Sequence, residues 1–537
     1  MLLAGLVYLN ALENPFVWDD FRTVAANASL GDLWNLRAVL THDATRPLVN
    51  LSYAVDRAVW GPSTFGFHLT SVLLHVLNVL LLFQLTRRLV DEGQGPAGTI
   101  RADVAAFAAA SLFAVHPMMT EAVGYISARA DVLCTALLLL AFLSMRAWVR
   151  GAGWHWLAGS ITLWVMALAT KEIAIVFPLF LLAFRYFMSA DQPELHRLRL
   201  ARATAAVLVA TLGAAALRIA VLLLLENPGL GTIHWPLVLV EIDVVREYLV
   251  LMFRPGGQSI MHSVSAINSV FAPRALLSIA LVTGLVVVAI RSRQAHGAIG
   301  FGLIWFLASL APPAALVVLD LGHPMAEHRM YLASCGLFLN AGMAYAWLVA
   351  RAPSLNWRLR LLRPIALSVG IFTLAGTTIV RNAVWTDPRM LWFDAVQKAP
   401  DMWLPQLVLG EALHDAGGHA RAVLAYREAI RLRPDHPDTY VKLGLCLAEL
   451  RRLDEAKAVF EQLRRLAPRS AAAATGLGSI AVLSGQLDDA QTLFDEALML
   501  EPQNTSAQQS LAMLHTLIER GPAGVVREPP LRAGQQR

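Results

Sequence analysis

Two adjacent carboxylates, Asp19 and Asp20, follow a short apolar segment in the loop Val17-Trp18-Asp19-Asp20, where a helix cap or solvated turn would need only one acid. Further ionisable residues recur along the chain. They are Arg46-Pro47-Leu48, His116-Pro117 with Glu121, Arg129-Ala130-Asp131, Lys171-Glu172, Glu327-His328-Arg329 before Tyr331, and Arg381 before Trp385. All adjoin ends of apolar stretches. An ionisable group at membrane depth is costly to hold and is a functional candidate by default. A carboxylate there offers proton transfer, and Arg129, Lys171, Arg329 and His116 offer positive charge to an anion where water meets lipid. Each cation also has a plainer reading, as an interfacial anchor or in an ion pair such as Lys171 with Glu172 or Arg129 with Asp131. Glu121, Asp131, Glu172 and Glu327 are the supporting acids, orienting the cations or simply pairing with them. His323, Glu327 and His328 match no metal-ligand spacing, so no metal is assigned.

Elements able to position such groups follow from composition. The chain has 537 residues, 56% hydrophobic and 15% charged, with a mean hydropathy of +0.53. An ordinary soluble chain is roughly 45–50% apolar and about 25% charged, so a soluble enzyme is excluded. Apolar stretches of helix-spanning size occur near 69–86, 131–149, 154–170, 173–188, 203–225, 273–290, 298–319, 331–350 and 364–380, with a shorter one at 102–115. Met1 to Leu12 supplies a truncated first helix, either shortened in this chain or begun upstream. That makes eleven spans. Arginines at 87–88, 146/150, 185 to 202, 291/293 and 351 to 363 mark the cytoplasmic loops, which puts the acidic loops and the segment after residue 385 on the opposite face. The stretch Glu241 to Phe253, charged on one side and apolar on the other, reads as an interfacial amphipathic helix.

The first 400 residues hold 29 Lys+Arg against 22 Asp+Glu, and the remainder 15 against 17. The basic excess therefore belongs to membrane loops, and no nucleic-acid partner is needed to explain it. Cys134, Cys335 and Cys446 lie too far apart for a disulfide framework or a cysteine-rich zinc cluster.

Beyond residue 385 the pattern changes to a repeat. Prolines fall at 400, 434, 468 and 502, a spacing of 34 that is the tetratricopeptide period. Gly410, Gly444 and Gly478 keep the same register, as do Ala422, Ala456 and Ala490, and Tyr426, Phe460 and Phe494. Full repeats are expected at 401–434, 435–468 and 469–502, within a repeat domain of 386–520, followed by a disordered tail at 521–537. Stacked hairpins of this kind present a concave surface that commonly binds polypeptide.

The ordered set of these segments resembles the GT-C glycosyltransferases, and among them the transmembrane and tetratricopeptide-repeat-containing O-mannosyltransferases. Two features depart from that pattern: the shortened first helix, and three full repeats where relatives often carry many. The resemblance implies an all-α chain, with residues 1–385 a polytopic transmembrane bundle of GT-C type and a tetratricopeptide α-solenoid after it. It further implies transfer of a hexose, mannose above all, from a polyprenyl-phosphate donor to Ser/Thr of exported proteins, with inversion at the anomeric carbon. A hydroxyl nucleophile then needs a base, and Asp19 or Asp20 is the choice. The leaving phosphate needs cations rather than a proton, a role that falls to Arg129, Lys171, Arg329 and His116. No phosphate-cradling Gly-rich loop of Walker or dinucleotide type is present, since Gly256-Gly257 is a lone turn, which favours a lipid-linked donor over a nucleotide sugar. No other cofactor is expected. The partners would be the lipid-linked sugar, the acceptor polypeptide held by the repeats, and membrane lipid. Two alternatives remain open: the same fold acting on a cell-envelope lipid or glycan, and a non-catalytic membrane scaffold. An Ala/Leu/Arg-rich chain with few lysines points to a bacterial inner membrane with repeats on the periplasmic face, or to the endoplasmic reticulum in a eukaryote.

Overall fold

A computed structural model describes residues 1–91, 96–189, 192–221, 235–294, 296–319, 323–350 and 357–520. Residues 222–225 of one expected span, Arg351, parts of the loops 226–272 and 320–330, and the tail 521–537 lie outside the described residues. Among those described, every regular element is helical. The chain divides into two compact units, Met1–Leu391 and Trp392–Arg537, with the division falling inside the helix Pro388–Lys398.

Among the described residues, six helices of the first unit are long and apolar enough to cross a bilayer: Thr64–Asp91, Ile126–Val149, Pro273–Ser292, Gly297–Val318, Glu327–Ala350 and Leu361–Thr386. A seventh candidate is broken, since Arg101–Val115 and Pro117–Gly124 meet at 58° where Pro117 interrupts the ladder after His116. The expectation of eleven spans is thus not met among the described residues. Trp154–Leu168 has 15 residues and Phe177–Met188 has 12. At about 1.5 Å rise per residue both fall short of a hydrocarbon core of about 30 Å. The chain breaks between them because Lys171 turns inward to a carboxylate and Pro178 starts a new helix. Leu2–Ala11 is likewise a short apolar helix.

Small residues let the spans approach closely. A Cβ on Gly302 would lie 2.7 Å from the carbonyl oxygen of Gly336, and a Cβ on Gly342 would collide with the backbone of Ala105. Such backbone-to-backbone packing suits helices in lipid, where burial of apolar area drives little association. Over one end of the bundle the short helices Leu36–His42 and Pro47–Trp60 enclose a separate small core of Val24, Leu30, Val39, Val49, Tyr53, Phe67 and Ile126.

In the second unit, helices pair as Trp403–Asp415 with His419–Leu432, Pro437–Glu449 with Leu453–Leu466, and Ala471–Leu483 with Leu487–Leu500, followed by Thr505–Arg520. The repeating glycines have a local cause. Tyr426, Phe460 and Phe494 lay their rings over Gly410, Gly444 and Gly478, so a Cβ on Gly444 would sit 2.6 Å from Phe460 carbon atoms. The turn inside each hairpin needs one left-handed residue, at Gly417, Arg451 and Gly485, again spaced by 34. Arg451 occupies that position in spite of its Cβ, at a cost of about 1–2 kcal/mol. Gly444→Ala is expected to lower the stability of the repeat unit by about 1–3 kcal/mol through overpacking against Phe460, read as a lower thermal midpoint with helical content retained.

Candidate functional site

The two adjacent acids have different fates. Asp20 is fully buried. Its carboxylate accepts the backbone N–H of Val17 at 3.2 Å and, from Ser127, both the backbone N–H at 2.8 Å and the hydroxyl at 2.6 Å. These bonds close the loop over Trp18, whose φ of +46° is a left-handed conformation that persists only when its surroundings fix it. Tyr125 and Ser127 extend the template: the Tyr125 hydroxyl accepts the Asp19 N–H at 3.2 Å, and the Thr23 hydroxyl bridges the Asp19 carbonyl and Ser127. Asp19 is thereby turned outward. Its side chain is 43% exposed, and the nearest cation, Arg22 at 3.8 Å, is itself 83% exposed. An ion pair so open to water holds neither partner firmly.

The four cations expected to hold an anion are also sorted by burial. Arg129 is completely enclosed. Its guanidinium pairs with Asp56 at 2.6 Å, donates to the Phe67 carbonyl at 2.6 Å and to the Ser52 and Ser71 hydroxyls, and lies over the Tyr53 ring at 4.7 Å. Lys171 is buried against Asp131, Nζ to Oδ2 2.6 Å. The imidazole of His116 accepts the Met118 N–H through Nδ1 and donates from Nε2 to the Met252 carbonyl at 3.0 Å, which is the neutral tautomer. Arg329 differs: it is half-buried, donates to the Pro324 carbonyl at 3.2 Å, and has no carboxylate within ion-pair distance among the described residues.

Around Arg329 a charged rim assembles from separate loops. The His323 ring lies 6.4 Å from that of Trp18. Although His323 is exposed, the partial desolvation of its ring and the neighbouring Arg329 hold its protonation below the ordinary range, with Asp19 pulling the other way. Glu172 pairs with Arg46 at 3.5 Å, both side chains 39% exposed. Burial raises the Glu172 carboxyl, but Lys171, Arg46 and then Arg329 outweigh it and keep it ionised below the usual range. Glu241 also lies within the field of Arg329. The Leu48 N–H donating to the Ala169 carbonyl at 3.2 Å fastens the Arg46 loop to the Lys171-Glu172 turn.

Glu121 and Glu327 are turned elsewhere. Glu121 accepts the Glu327 N–H at 2.9 Å and His328 Nδ1 at 2.6 Å, while Glu327 accepts the Ser259 N–H at 2.6 Å and His262 Nε2 at 2.8 Å. The two Glu–His pairs tie together the Thr120–Gly124 helix, the segment around Ser259 to His262 and the Glu327–Arg329 turn. Sequence reasoning quoted Arg46 without giving it a role, and it missed Asp56, Ser127 and His262. Asp56 carried a signal, as the lone acid in the segment from Leu48 to Trp60, whereas Ser127 and His262 carried none.

Comparison with known proteins adds a second line. A tetratricopeptide-repeat family matches residues 413–480. The protein O-mannosyl-transferase Tmtc1 of Drosophila melanogaster is 35% identical over 186 residues, covering 32% of this chain and 20% of that one. Tmtc3 of the same organism is 23% identical over 545 residues, covering 85% of this chain and 57% of its own length. The human protein O-mannosyl-transferase TMTC1 is 35% identical over 160 residues, 27% of this chain and 17% of the relative. The chain is therefore similar to the TMTC O-mannosyl-transferases over most of its length, and it spans between about a sixth and somewhat over half of these three relatives.

Two outcomes follow from the burial. Arg129→Ala leaves Asp56 as an unpaired buried charge and is expected to cost about 3–5 kcal/mol; adding Asp56→Asn should recover part of it, both read from thermal unfolding in detergent. Burial first, opposed by the Ser127 and Val17 hydrogen bonds, pushes the Asp20 carboxyl from 3.8 up to about 7. The fold thus binds this proton more tightly than the unfolded chain. The resulting stability is fully present below about pH 3.8 and is lost as pH rises through about 7, and Asp20→Asn should flatten that slope.

Proposed function

We propose that the chain is a membrane glycosyltransferase that transfers mannose from a polyprenyl phosphate to Ser/Thr hydroxyls of polypeptides, with Asp19 as the base. The observation that carries this reading is the division of labour in the acid pair: Asp20 is consumed in holding the loop, and Asp19 is presented to water beside His323 and the rim around Arg329. The similarity to O-mannosyl-transferases supports the choice of sugar and of a protein acceptor.

In this mechanism the acceptor hydroxyl oxygen attacks the anomeric carbon while Asp19 takes its proton. The bond from that carbon to the phosphate oxygen breaks, its electron pair leaves with the phosphate, and the configuration inverts in one displacement. The departing group gains a negative charge and needs no proton. Arg329 and Arg46 are assigned to hold it, since they are the partly exposed cations of this rim, whereas Arg129 and Lys171 are already paired inside the fold. Their contribution grows at the lipid boundary, where low polarity strengthens each charge-assisted contact. Arg129, Lys171, Glu121 and Glu327 act as positioning residues that fix the loops carrying Asp19 and Arg329. The catalytic loops face the non-cytoplasmic side, and the repeats are assigned to the acceptor polypeptide because stacked hairpins of this type commonly bind peptide.

The test is transfer of radiolabelled mannose from polyprenyl-phosphate mannose to endogenous proteins in membranes at equal expression. Asp19→Asn should lower the rate about 10²–10⁴-fold with the thermal midpoint unchanged, and Arg329→Gln about 10²–10³-fold. Asp20→Asn should reduce activity together with loop stability. Equal labelling by wild type and Asp19→Asn would remove the base assignment. Label arriving in lipid rather than protein would move the acceptor to the cell envelope, and an absence of transfer from any lipid-linked sugar would favour the scaffold.

A further inference from the structure

We infer that the turn of the first hairpin of the repeat unit and the adjoining helix end of the second carry a binding site for a divalent transition metal of the zinc class, formed by His414, His419, Cys446 and Glu449. One nitrogen of each histidine and the Cys446 sulfur lie within 4.8 Å of one another. Glu449 completes the group: its Oε2 is 2.7 Å from His414 Nε2 and 3.1 Å from His419 Nδ1.

The chain delivers these groups from two segments. His414 closes the helix Trp403–Asp415 and His419 opens His419–Leu432, so the pair straddles the Gly417-Gly418 turn, where Gly417 has a φ of +77°. Cys446 and Glu449 sit three residues apart in the last turn of Pro437–Glu449, hence on one face of that helix. The imidazole rings are 5.0 Å apart and nearly perpendicular. His419 Nδ1 is buried and has no hydrogen-bond partner of good geometry, although it faces the Glu449 carboxylate. The fully buried Cys446 sulfur lies 3.3 Å from the His419 carbonyl.

Two imidazoles, one thiol and one carboxylate make a mixed nitrogen, sulfur and oxygen set, which selects zinc-like ions over calcium or magnesium. Bonds of about 2.0–2.3 Å in a tetrahedron put ligand atoms roughly 3.3–3.8 Å apart. Reaching that spacing from the present one takes shifts of about 1 Å, which the half-exposed His414, His419 and Glu449 side chains can make by small rotations. Binding forms the metal–sulfur bond as the S–H bond breaks, with the proton released to water. The bound ion would join the turn of the first repeat to the helix end of the second. Cysteine spacing gives no hint of it, because a single cysteine takes part.

The full chain in detergent, stripped with chelator, is titrated with Co²⁺ and then Zn²⁺. One equivalent of Co²⁺ should bind, giving visible bands and a near-ultraviolet thiolate-to-cobalt band that Zn²⁺ abolishes, and Zn²⁺ should raise the thermal midpoint. Cys446→Ser should remove the thiolate band, and His414→Gln should weaken binding about 100-fold or more, since the loss of even an outer-shell partner commonly costs about 10–100-fold. Cys134→Ser, altering a buried cysteine of the membrane unit, should leave the spectrum unchanged. Circular dichroism identifies any variant that fails to fold, in which case the wild-type titration and the part-exposed His414→Gln variant decide. Absence of stoichiometric binding by the wild-type chain, or a thiolate band that survives in folded Cys446→Ser, would overturn the site.

Discussion

An ionised group cannot stay inside this bundle without a partner, and that requirement organises the whole of its polar end. Arg129 with Asp56, Lys171 with Asp131, Glu121 with His328 and Glu327 with His262 each satisfy it. In the helix Trp235–Phe253, Asp243 does so with Arg246, Arg274 and Ser278. Desolvation of an unpaired ion costs several kcal/mol, so every one of these pairs also fixes a loop or helix end in place. Charges left at the rim, Asp19, Arg329, and Arg46 with Glu172, are those for which water supplies the solvation. The candidate site is what the pairing rule leaves over.

The same logic explains why two neighbouring acids do different work. A buried carboxylate requires several donors, and Ser127 and the Val17 N–H provide them to Asp20. Once those donors are engaged, the backbone at Trp18 is held left-handed and Asp19 must project the opposite way. Strain of about 1–2 kcal/mol at one residue is sustained because three hydrogen bonds to the buried Asp20 carboxyl oppose its release.

The repeat unit obeys a simpler rule. An aromatic ring stacked over a glycine within each hairpin sets how near the two helices come, and a left-handed residue sets the turn between them. These requirements depend only on neighbours a few turns away. They therefore recur at the same sequence interval in each hairpin, with the single exception of Arg451 at a turn position otherwise glycine.

The amino-acid sequence by itself determined the all-helical class, the membrane character and the 34-residue repeat, because each arises from local periodicity and apolar length that the chain carries in series. It also marked the segments that gather at the rim, Asp19-Asp20, Arg46, Lys171-Glu172 and Glu327 to Arg329, since a charge beside an apolar run is visible without knowledge of its neighbours. The tertiary structure alone decided which of those charges meets water. Arg129 and Arg329 both lie at the start of long apolar helices, yet one is closed in by Asp56, 73 residues earlier, and the other remains half-exposed. It also decided the length of the spans: the regular helices Trp154–Leu168 and Phe177–Met188 come out shorter than the apolar stretches 154–170 and 173–188. Burial depends on partners distant in the chain, and a list of residues in order holds the charges without the distances between them.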